Sequence, residues 1–569
     1  MTNPSPGPAD PLPQSPSPQS RTAQSPSPQS RTARVPFGRE VLPAEDGLPD
    51  DDPPPRVPVL IAGGGPVGLA AATELNLHGI ACAVLEPRQE VTWLRPRAKT
   101  VSARTMEHFR RWGLANTIRE RAPLPVSWSQ DIVFCTTLTG REITRFHDAF
   151  GLGLAGGALV AEPGQQAPQP LIEEVLREAV REAHYPSLFP GWRVTGLAQD
   201  GEEVRVAAED ANGRRATIAA EYVIGCDGAR SVVREAIGAR FEGNSGGKRS
   251  VNVTFRAPGL AHLVPHGPAV QYWVLNPAQG GLIGRLDLAD TWWCIANGVG
   301  QTAGEAHAAA IVHAMTGTDL PIEVLATDAW TARMQLADRY GRGRVFIAGD
   351  AAHQNPPYGG HGFNTGIGDA VNLGWKLAAV LNRWAPTALL DTYHSERRPV
   401  GAETIAEASR NMSTLAPELA DPRLMGTDEE FAAVLPSVRE AVQRTKHREF
   451  HSLDLVLGYA YPDSPLTVNG AGERLPHRWI GPGDSLYDHL GNGLTLIRCD
   501  YPGYGAADGG LVAVARALAI PLTVLDLTGD GWAEHFGAGM VLVRPDQHVS
   551  WLGDRIDDAL KLLRAAVGW

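Results

Sequence analysis

The sequence predicts an α/β protein with a Rossmann-like domain, an inserted antiparallel sheet and a further α/β unit at its end. Three observations support this class. An apolar strand, a glycine-rich turn, a helical segment and a second strand follow one another between Val57 and Glu86. Residues 246–334 alternate as antiparallel strands do. A new strand-and-helix pattern begins near residue 476.

Length and composition limit the possible functions. A chain of 569 residues has room for about two to four compact units. Its 51 Lys and Arg and 63 Asp and Glu residues give a net charge of −12 without a basic run, which argues against nucleic-acid or anionic-membrane partners. The five cysteines lack C-x-x-C spacing, which argues against a metal site or a redox-active dithiol. No apolar run reaches membrane-spanning length, so we expect a cytoplasmic protein.

Residues 1–55 are rich in Pro, Ser and Gln, and the decapeptide QSPSPQSRTA occurs twice in tandem, at 14–23 and 24–33. Such a composition cannot bury an apolar core. We therefore predict a disordered N-terminal extension, to which we assign no function.

The first motif is a dinucleotide-binding fingerprint. Three glycines in the spacing G-x-G-x-x-G follow the first apolar strand directly and open a helix. They allow a tight turn, the approach of a pyrophosphate to the backbone and close packing of helix on strand. The next strand ends at an acid, at the usual distance for binding an adenosine ribose. The predicted Rossmann-like site comprises Gly63, Gly65, Pro66, Val67, Gly68 and Glu86.

The most informative stretch is Arg344–Trp384. Its apolar strand, Val345–Ala348, ends just before Asp350, where a carboxylate is well placed to bind a sugar alcohol. Two prolines and three glycines then form a loop whose backbone N–H groups are able to close on a flat ligand. We expect a helix from about Thr365, with Asn364 and Thr365 as N-caps, whose positive end points at an anion. A planar ligand, a polyol and negative charge together describe a flavin.

The same stretch reads GDAAH…PP.GG.G.NTGI.DA.NL.WKLA. It resembles the second flavin-binding motif of the group A FAD-dependent aromatic hydroxylases, which have a para-hydroxybenzoate hydroxylase-like fold. The likeness is greatest to actinomycete aromatic polyketide hydroxylases and to phenol hydroxylases with a thioredoxin-like C-terminal domain. The resemblance implies an FAD-binding domain at 56–245 and 335–405, a substrate-binding β domain at 246–334 to which 125–160 contributes, a helical connector at 406–475 and a thioredoxin-like domain without C-x-x-C at 476–569.

The resemblance also assigns roles to single residues. Arg97, in the sequence Arg-Pro-Arg after the acidic strand end, matches a family arginine that approaches the FAD pyrophosphate. Gln169 matches a glutamine beside the ribityl chain, and Val194 lies in the strand that borders the adenine. Asp227 begins the Asp-Gly motif that the family associates with FAD and reduced nicotinamide. Asp350, Gly362 and Asn364 complete the implied FAD site.

The resemblance implies an activity. FAD is the resident cofactor, NADPH or NADH visits transiently, and O2 adds to the reduced flavin to give a C4a-hydroperoxide that hydroxylates a phenolic ring. The loop at Pro357 would line the reaction site. A base that forms the phenolate would help the reaction, and Tyr272 is the candidate, because relatives that hydroxylate polycyclic polyketides use a tyrosine in the corresponding strand. The expected partners are a small aromatic substrate and O2, with a possible homodimer.

Three alternatives stay open from the sequence. Within the same chemistry, the substrate is a polycyclic aromatic polyketide in antibiotic biosynthesis or a simple or halogenated phenol in catabolism. A flavin-dependent dehydrogenase that does not transfer oxygen is a second class. A flavoprotein-derived scaffold is a third, against which the intact Glu86 and Asp350 argue.

Overall fold

The computed structural model describes residues 52–154, 156–245, 249–300, 304, 306–413, 419, 421–468, 471–499, 508–529 and 531–569. Residues 1–51 of the predicted N-terminal extension therefore lie outside the described residues. None of the helices described here is sufficiently long and apolar to span a membrane.

Strands account for three main sheets. In chain order they are β1 (Arg56–Ala62), β2 (Cys82–Glu86), β3 (Thr100–Val101), β4 (Ile132–Cys135), β5 (Glu142–Phe146), β6 (Gln165–Gln166), β7 (Pro186–Pro190), β8 (Trp192–Gln199), β9 (Val204–Asp210), β10 (Arg215–Gly225), β11 (Phe241–Asn244), β12 (Arg249–Arg256), β13 (Gln271–Val274), β14 (Gly281–Arg285), β15 (Thr291–Asn297), β16 (Glu323–Thr331), β17 (Met334–Ala337), β18 (Gly341–Arg342), β19 (Val345–Ile347), β20 (His353–Gln354), β21 (Trp479–Gly481), β22 (Asp484–Ser485), β23 (Leu494–Cys499), β24 (Leu522–Leu527), β25 (Met540–Val543) and β26 (Val549–Gly553).

Helices cover and join the sheets. In chain order they are α1 (Pro66–Leu77), α2 (Ala103–Arg111), α3 (Ala115–Arg121), α4 (Gln169–Glu182), α5 (Val232–Ala236), α6 (Leu260–Leu263), α7 (Ala308–Thr316), α8 (His361–Leu381), α9 (Thr392–Ser413), α10 (Asp428–Phe450), α11 (Leu453–Leu457), α12 (Leu511–Ala517), α13 (Trp532–Phe536) and α14 (Ala559–Val567).

The first sheet has the parallel strands of the predicted Rossmann-like domain. Its order is β18-β19-β10-β1-β2-β7, with β9 and β8 added beside β10, and β1 runs parallel to both β2 and β10. Five of the seven β1 residues are buried, and they share one hydrophobic cluster with residues of α1, α4 and α8. The carboxyl ends of β1, β2, β10 and β19 meet at one edge, which gathers the four strand-end motifs of the sequence.

The second sheet has seven strands in the order β16-β12-β15-β14-β13-β4-β5. Its strands pair antiparallel except for β13 and β4, which run parallel. Helix α7 packs on one face through a buried apolar cluster that includes Val253, Cys294 and Met315. The opposite face contacts Leu94, Lys99 and Tyr358.

The C-terminal sheet has the order β24-β23-β25-β26, with β23 and β24 parallel and β25 antiparallel to both of its neighbours. Together with α12 and α14 this gives the predicted thioredoxin-like arrangement. Cys499 at the end of β23 is buried, and no disulfide forms among the cysteines, all of which lie in the part of the chain that the structure describes. The sheet shares a hydrophobic cluster with Trp375 and Ala379 of α8.

A buried charge network fastens the C-terminal unit to helix α8. Arg544 donates to both carboxylate oxygens of Glu396, at 2.7 and 2.8 Å, and Lys376 donates to the same carboxylate at 2.6 Å. Trp375 donates to Asp546 at 3.1 Å. Burial alone would raise the pKa of Glu396, but Arg544 and Lys376 hold it well below its ordinary value. The C-terminal unit therefore helps to position the helix that carries the second glycine loop.

Candidate active site

Each of the three fingerprint glycines is required at its position for a different physical reason. Gly63 has φ +102°, and a Cβ atom there would lie 2.4 Å from the carbonyl oxygen of Cys226. A Cβ atom on Gly68 would lie 2.0 Å from the carbonyl oxygen of Gly63, which is the close approach of helix to strand. A Cβ atom on Gly65 would meet nothing within 4 Å. Gly65 therefore leaves an open cradle at the N-terminus of α1, where a phosphate is favoured.

Pro66 and Val67 begin helix α1. The side chain of Val67 packs toward the second motif, because a Cβ atom on Gly349 or Gly366 would lie 3.0 or 2.6 Å from its Cγ2. The fingerprint turn and the second motif thus meet at Val67.

Glu86 ends β2 and is buried. Its carboxylate accepts hydrogen bonds from the backbone N–H of Gly64 at 2.7 Å and from Nε of Arg88 at 2.7 Å. The predicted ribose acceptor is thus held in place by the turn that it faces. Val194 lies in β8, opposite Ala208 of β9, and its side chain belongs to the buried core of this domain.

Arg97 lies close enough to Asp350 for the two charges to interact. Asp350 is exposed to the cleft, yet the surrounding protein raises the pKa of its carboxyl, while His353 and Arg97 oppose that rise. Arg97 has φ +39°, a strained backbone for a residue with a side chain. Gln169 is the first residue of α4, and its backbone N–H donates to Ala98 at 2.8 Å, which ties it to the Arg97 segment.

Asp227 follows β10 and carries an unsatisfied oxygen. Its Oδ2 accepts a hydrogen bond from the N–H of Val233 at 3.2 Å, whereas Oδ1 is buried without a partner. Burial raises the pKa of this carboxyl. A buried acceptor without a donor is unfavourable unless a ligand supplies one. The position therefore fits a hydroxyl or N–H group of a bound molecule.

Helix α8 begins earlier than the sequence predicts. It starts at His361 rather than near Thr365, because Gly359 and Gly360, with φ +92° and +70°, turn the chain into the helix. Asn364 and Thr365 are therefore not N-caps. Asn364 instead accepts from the N–H of Ser102 at 2.9 Å and donates to the carbonyl oxygen of Gly360 at 2.8 Å.

Gly362 lies in the first turn of α8. A Cβ atom on this residue would lie 2.8 Å from Oδ1 of Asn355, so a larger residue would push the loop away from the helix. The loop Pro356–Gly360 and the free N–H groups of the first turn thus lie side by side, as an anionic planar ligand requires.

Residues 94–99 and the glycine loop pack on the face of the second sheet that is opposite to α7. The ring of Tyr358 lies 6.2 Å from that of Trp273, and Nζ of Lys99 lies 4.1 Å above the ring of Trp293. The hydroxyl of Thr254 also donates to the carbonyl oxygen of Leu94. This face, which we call the aromatic face, carries Phe134, Thr254, Trp273 and Trp293. Pro357 is exposed beside Tyr358.

Tyr272 points away from this site. It lies on the opposite face of β13, in the cluster that packs against α7, and its hydroxyl donates to the carbonyl oxygen of Gly267 at 2.5 Å. Burial raises the pKa of that hydroxyl. The structure therefore does not bring Tyr272 to Pro357, and its placement gives no support to the predicted role as proton acceptor. Successive residues of a strand face opposite sides, so Trp273 takes the facing position instead.

Sequence reasoning missed two charged residues of the helical connector. Lys446 and Glu449 of α10 are buried and form an ion pair of 2.9 Å, and Lys446 also donates to the carbonyl oxygen of Asn411 at 2.8 Å. Nζ of Lys446 lies 4.6 Å above the ring of Trp273. Burial raises the pKa of Glu449, while Lys446 and a hydrogen bond from the backbone of Gly359 oppose that rise. The pair therefore joins α10 to both the loop and the aromatic face.

Lys99 offers a test of the electrostatics beside Arg97. Its side chain is half-buried, no carboxylate or other hydrogen-bond acceptor is found for Nζ among the described residues, and burial lowers its pKa from 10.5 to about 7. Below pH 7 the lysine is charged in both folded and unfolded protein, and the folded protein bears the cost of burial. Above pH 7 Lys99 keeps its proton in the unfolded chain but loses it in the folded protein. The free energy of unfolding therefore rises with pH.

We therefore expect Lys99→Met to stabilise the apoprotein at pH 6 by about 1–2 kcal/mol. The gain should shrink as the pH rises from 7 toward 9. Urea unfolding at several pH values measures it, with Lys561→Met, a substitution at an exposed lysine, as the control. A gain that is independent of pH, or equal in the control, would show that the charge of Lys99 is not buried as described.

Known families match nearly the whole of the described chain. An FAD binding domain family matches residues 56–408, and the family of the C-terminal domain of aromatic-ring hydroxylases matches residues 469–569. Tetracenomycin B2 monooxygenase-dioxygenase of Streptomyces olivaceus is 33% identical over 88% of this chain and 96% of its own. The 2,4-dichlorophenol 6-monooxygenase of Cupriavidus pinatubonensis is 30% identical over 90% of this chain and 96% of its own.

A solved structure of the rebeccamycin biosynthetic enzyme RebC with reduced flavin is 31% identical, covers 91% of this chain and 100% of its own, and superposes with a TM-score of 0.82. The site fits FAD on its own observations. Gly65 leaves a cradle free of side-chain atoms, Asp227 presents an unpartnered oxygen and Asp350 opens into the cleft. The motifs, the fold and the relatives agree, and the chain belongs to the FAD-dependent aromatic monooxygenases of the ring-hydroxylase family.

Proposed function

We propose that this protein uses NAD(P)H and O2 to hydroxylate a polycyclic phenol, of the kind made as an aromatic polyketide in antibiotic biosynthesis. One observation supports the polycyclic substrate above all. The indole N–H groups of Trp273 and Trp293 are both buried on the aromatic face, and neither has an acceptor among the described residues. Two buried donors without acceptors favour a ligand that carries oxygen substituents.

The spacing of the two tryptophans bears on the size of that ligand. Strand β14 lies between β13 and β15, and the register places Trp293 two residues away from the position opposite Trp273. With strands about 4.8 Å apart and about 3.4 Å per residue, the two Cα atoms lie about 12 Å apart. This separation of the two positions on the aromatic face favours several fused rings over a single phenol ring.

The relatives leave the number of rings open. One is named for tetracenomycin B2 and another for 2,4-dichlorophenol. The two separated donors on the aromatic face favour the larger molecule. A hydroxylase of simple phenols is therefore the alternative, and a comparison of polycyclic with monocyclic phenols as substrates distinguishes the two.

The residues of this chain would bind and orient the cofactor. Gly65 and Arg97 would receive the pyrophosphate, Asp350 and Gln169 the ribityl hydroxyls, and the first turn of α8 the negative charge of the reduced ring. When bound, FAD supplies electron transfer from reduced nicotinamide and the activation of O2.

Other residues would shape the reaction site. Pro357 would border one side of the substrate, and the part of the aromatic face that Tyr358 does not cover would border the other and exclude water. The ring of Phe134 stacks on Trp273 at 5.3 Å, which fixes the indole in place. The protein thus offers a rigid, apolar wall with hydrogen-bond donors at two points.

The purified yellow protein tests this proposal. NADPH or NADH consumption should accelerate on addition of a polycyclic phenol, and the product should gain at least one oxygen atom by mass spectrometry. Preference for a monocyclic phenol would move the function to the catabolic alternative. Oxidised product without added oxygen would favour a flavin-dependent dehydrogenase.

Single substitutions test the two indole donors. Trp273→Phe and Trp293→Phe each keep an aromatic ring and remove one N–H group, so each should raise KM for a polycyclic phenol about tenfold. Trp292→Phe is the matched control, because Trp292 also has a buried N–H without a partner but lies in the cluster against α7. Equal effects of all three substitutions would contradict the proposed contacts.

A further inference from the structure

A small cavity lies beside the first two turns of helix α8. It has a volume of about 40 Å³ and is enclosed by α2, α8, α9 and the segment that follows α10. Its polar lining includes Arg104 and His108 of α2, Arg397 and Thr404 of α9, and Tyr459. Among the described residues that line it there are two arginines and two histidines but no aspartate or glutamate.

Several donors at this cavity have no acceptor. Both ring nitrogens of His108 are buried without a partner, and so is Nε of Arg104. His108 is 2% exposed and Arg104 is 4% exposed, so bulk water does not satisfy them. Burial, and then Arg104 and Arg111, hold the pKa of His108 well below its ordinary value, so its ring is neutral and presents one N–H donor.

Positive charge is also in excess around the cavity. Arg104 and Arg474 share one carboxylate, that of Glu107, at 3.0 and 3.1 Å. Two buried cations therefore meet a single buried anion at this point. Arg397 is paired with Asp369 at 2.8 Å, but that carboxylate is shared with His353. An uncompensated buried charge is costly, and a bound anion would relieve it.

We propose that this cavity binds one small inorganic anion of the size of chloride or bromide. The volume admits a halide or about two or three water molecules. A monovalent anion also matches the single excess positive charge, which a divalent sulfate would exceed. A halide accepts hydrogen bonds from Nε of Arg104 and from the ring of His108 and compensates the extra positive charge. It would hold α2 against α8 and α9, behind the first turn of the helix that faces the flavin. This inference does not depend on the substrate or the reaction.

Thermal unfolding of the full-length, FAD-loaded protein tests the proposal. Sodium gluconate is replaced by sodium bromide or chloride at constant ionic strength, with sodium sulfate as a third salt. We expect either halide to raise Tm saturably by about 2–5 °C, and sulfate to have no such effect. His108→Phe should abolish the halide effect. His535→Phe should retain it, because Nε2 of His535 is also buried without a partner but does not line this cavity.

Diffraction gives an independent answer if His108→Phe fails to fold. Crystals of the wild-type protein soaked in bromide should show an anomalous peak between Arg104 and His108. Water alone at that position, together with a Tm that is independent of halide, would overturn the proposal. A halide effect that persists in His108→Phe would place the anion elsewhere and would overturn it as well.

Discussion

We expect Gly65→Val to yield a folded but colourless protein. The position has an ordinary φ of −74°, and a Cβ atom there meets nothing within 4 Å, so the apoprotein accommodates the larger side chain without strain. The new methyl groups occupy the cradle into which the pyrophosphate must enter. Overpacking of this kind costs about 2–3 kcal/mol, which corresponds to roughly a 100-fold loss of FAD affinity. Fluorescence titration of apoprotein with FAD measures it.

Substitutions at two further glycines serve as controls for this experiment. Gly481→Val introduces the same side chain at another open glycine, in the C-terminal domain, and should leave FAD affinity unchanged. Gly63→Ala should instead lower Tm of the apoprotein, because its Cβ atom collides with the backbone of Cys226 and its φ is positive. Unchanged FAD affinity in Gly65→Val would mean that the pyrophosphate does not bind at the fingerprint turn.

We expect Lys446→Met to lower both the stability of the protein and the yield of hydroxylated product. The substitution leaves the carboxylate of Glu449 buried without its cation, which costs about 3–5 kcal/mol. It also removes the ammonium group above Trp273. The loop that holds Pro357 and Tyr358 loses a fixed anchor, so more of the consumed NAD(P)H should appear as hydrogen peroxide instead of hydroxylated product.

The double variant Lys446→Met/Glu449→Gln separates charge from position. A glutamine oxygen is still able to accept the hydrogen bond from Gly359, and no buried charge is left unpaired. The double variant should therefore regain most of the free energy of unfolding that Lys446→Met loses. Its yield of hydroxylated product per NAD(P)H should also rise again. Urea unfolding and peroxide assays measure the two quantities. A double variant that is no more stable than Lys446→Met would show that the ion pair is not the cause.

The positions of the strand-end acids were largely predictable from the sequence, because each of these motifs is local. Glu86, Asp227 and Asp350 all stand directly after apolar strands, and parallel strands bring such positions to one edge whatever the rest of the chain does. The start of α8 was misplaced because glycines with positive φ give no helical signal, although Gly359 and Gly360 are the residues that turn the chain into it.

The substrate side was less predictable for a physical reason. The strand QYWV is buried on both faces, so alternation does not tell which of Tyr272 and Trp273 faces the flavin loop. Lys446 and Glu449 lie in a polar helix that reads as a solvent-exposed connector, and their contacts with Tyr358 and Gly359 join distant parts of the chain. A Lys and a Glu three residues apart beside the buried Phe450 were the one available signal.

Oxygen transfer to a polycyclic phenol is the central claim, and one measurement tests it most directly. The FAD-loaded protein is reduced with NADPH or NADH, mixed with a polycyclic phenol and exposed to 18O2 in ordinary water, and the product is weighed by mass spectrometry. The account predicts a product that carries an oxygen atom from 18O2, formed at least ten times faster (about 1.4 kcal/mol in the barrier) than from a monocyclic phenol. An oxidised product without the heavy isotope, or hydrogen peroxide alone with every phenol, would contradict it.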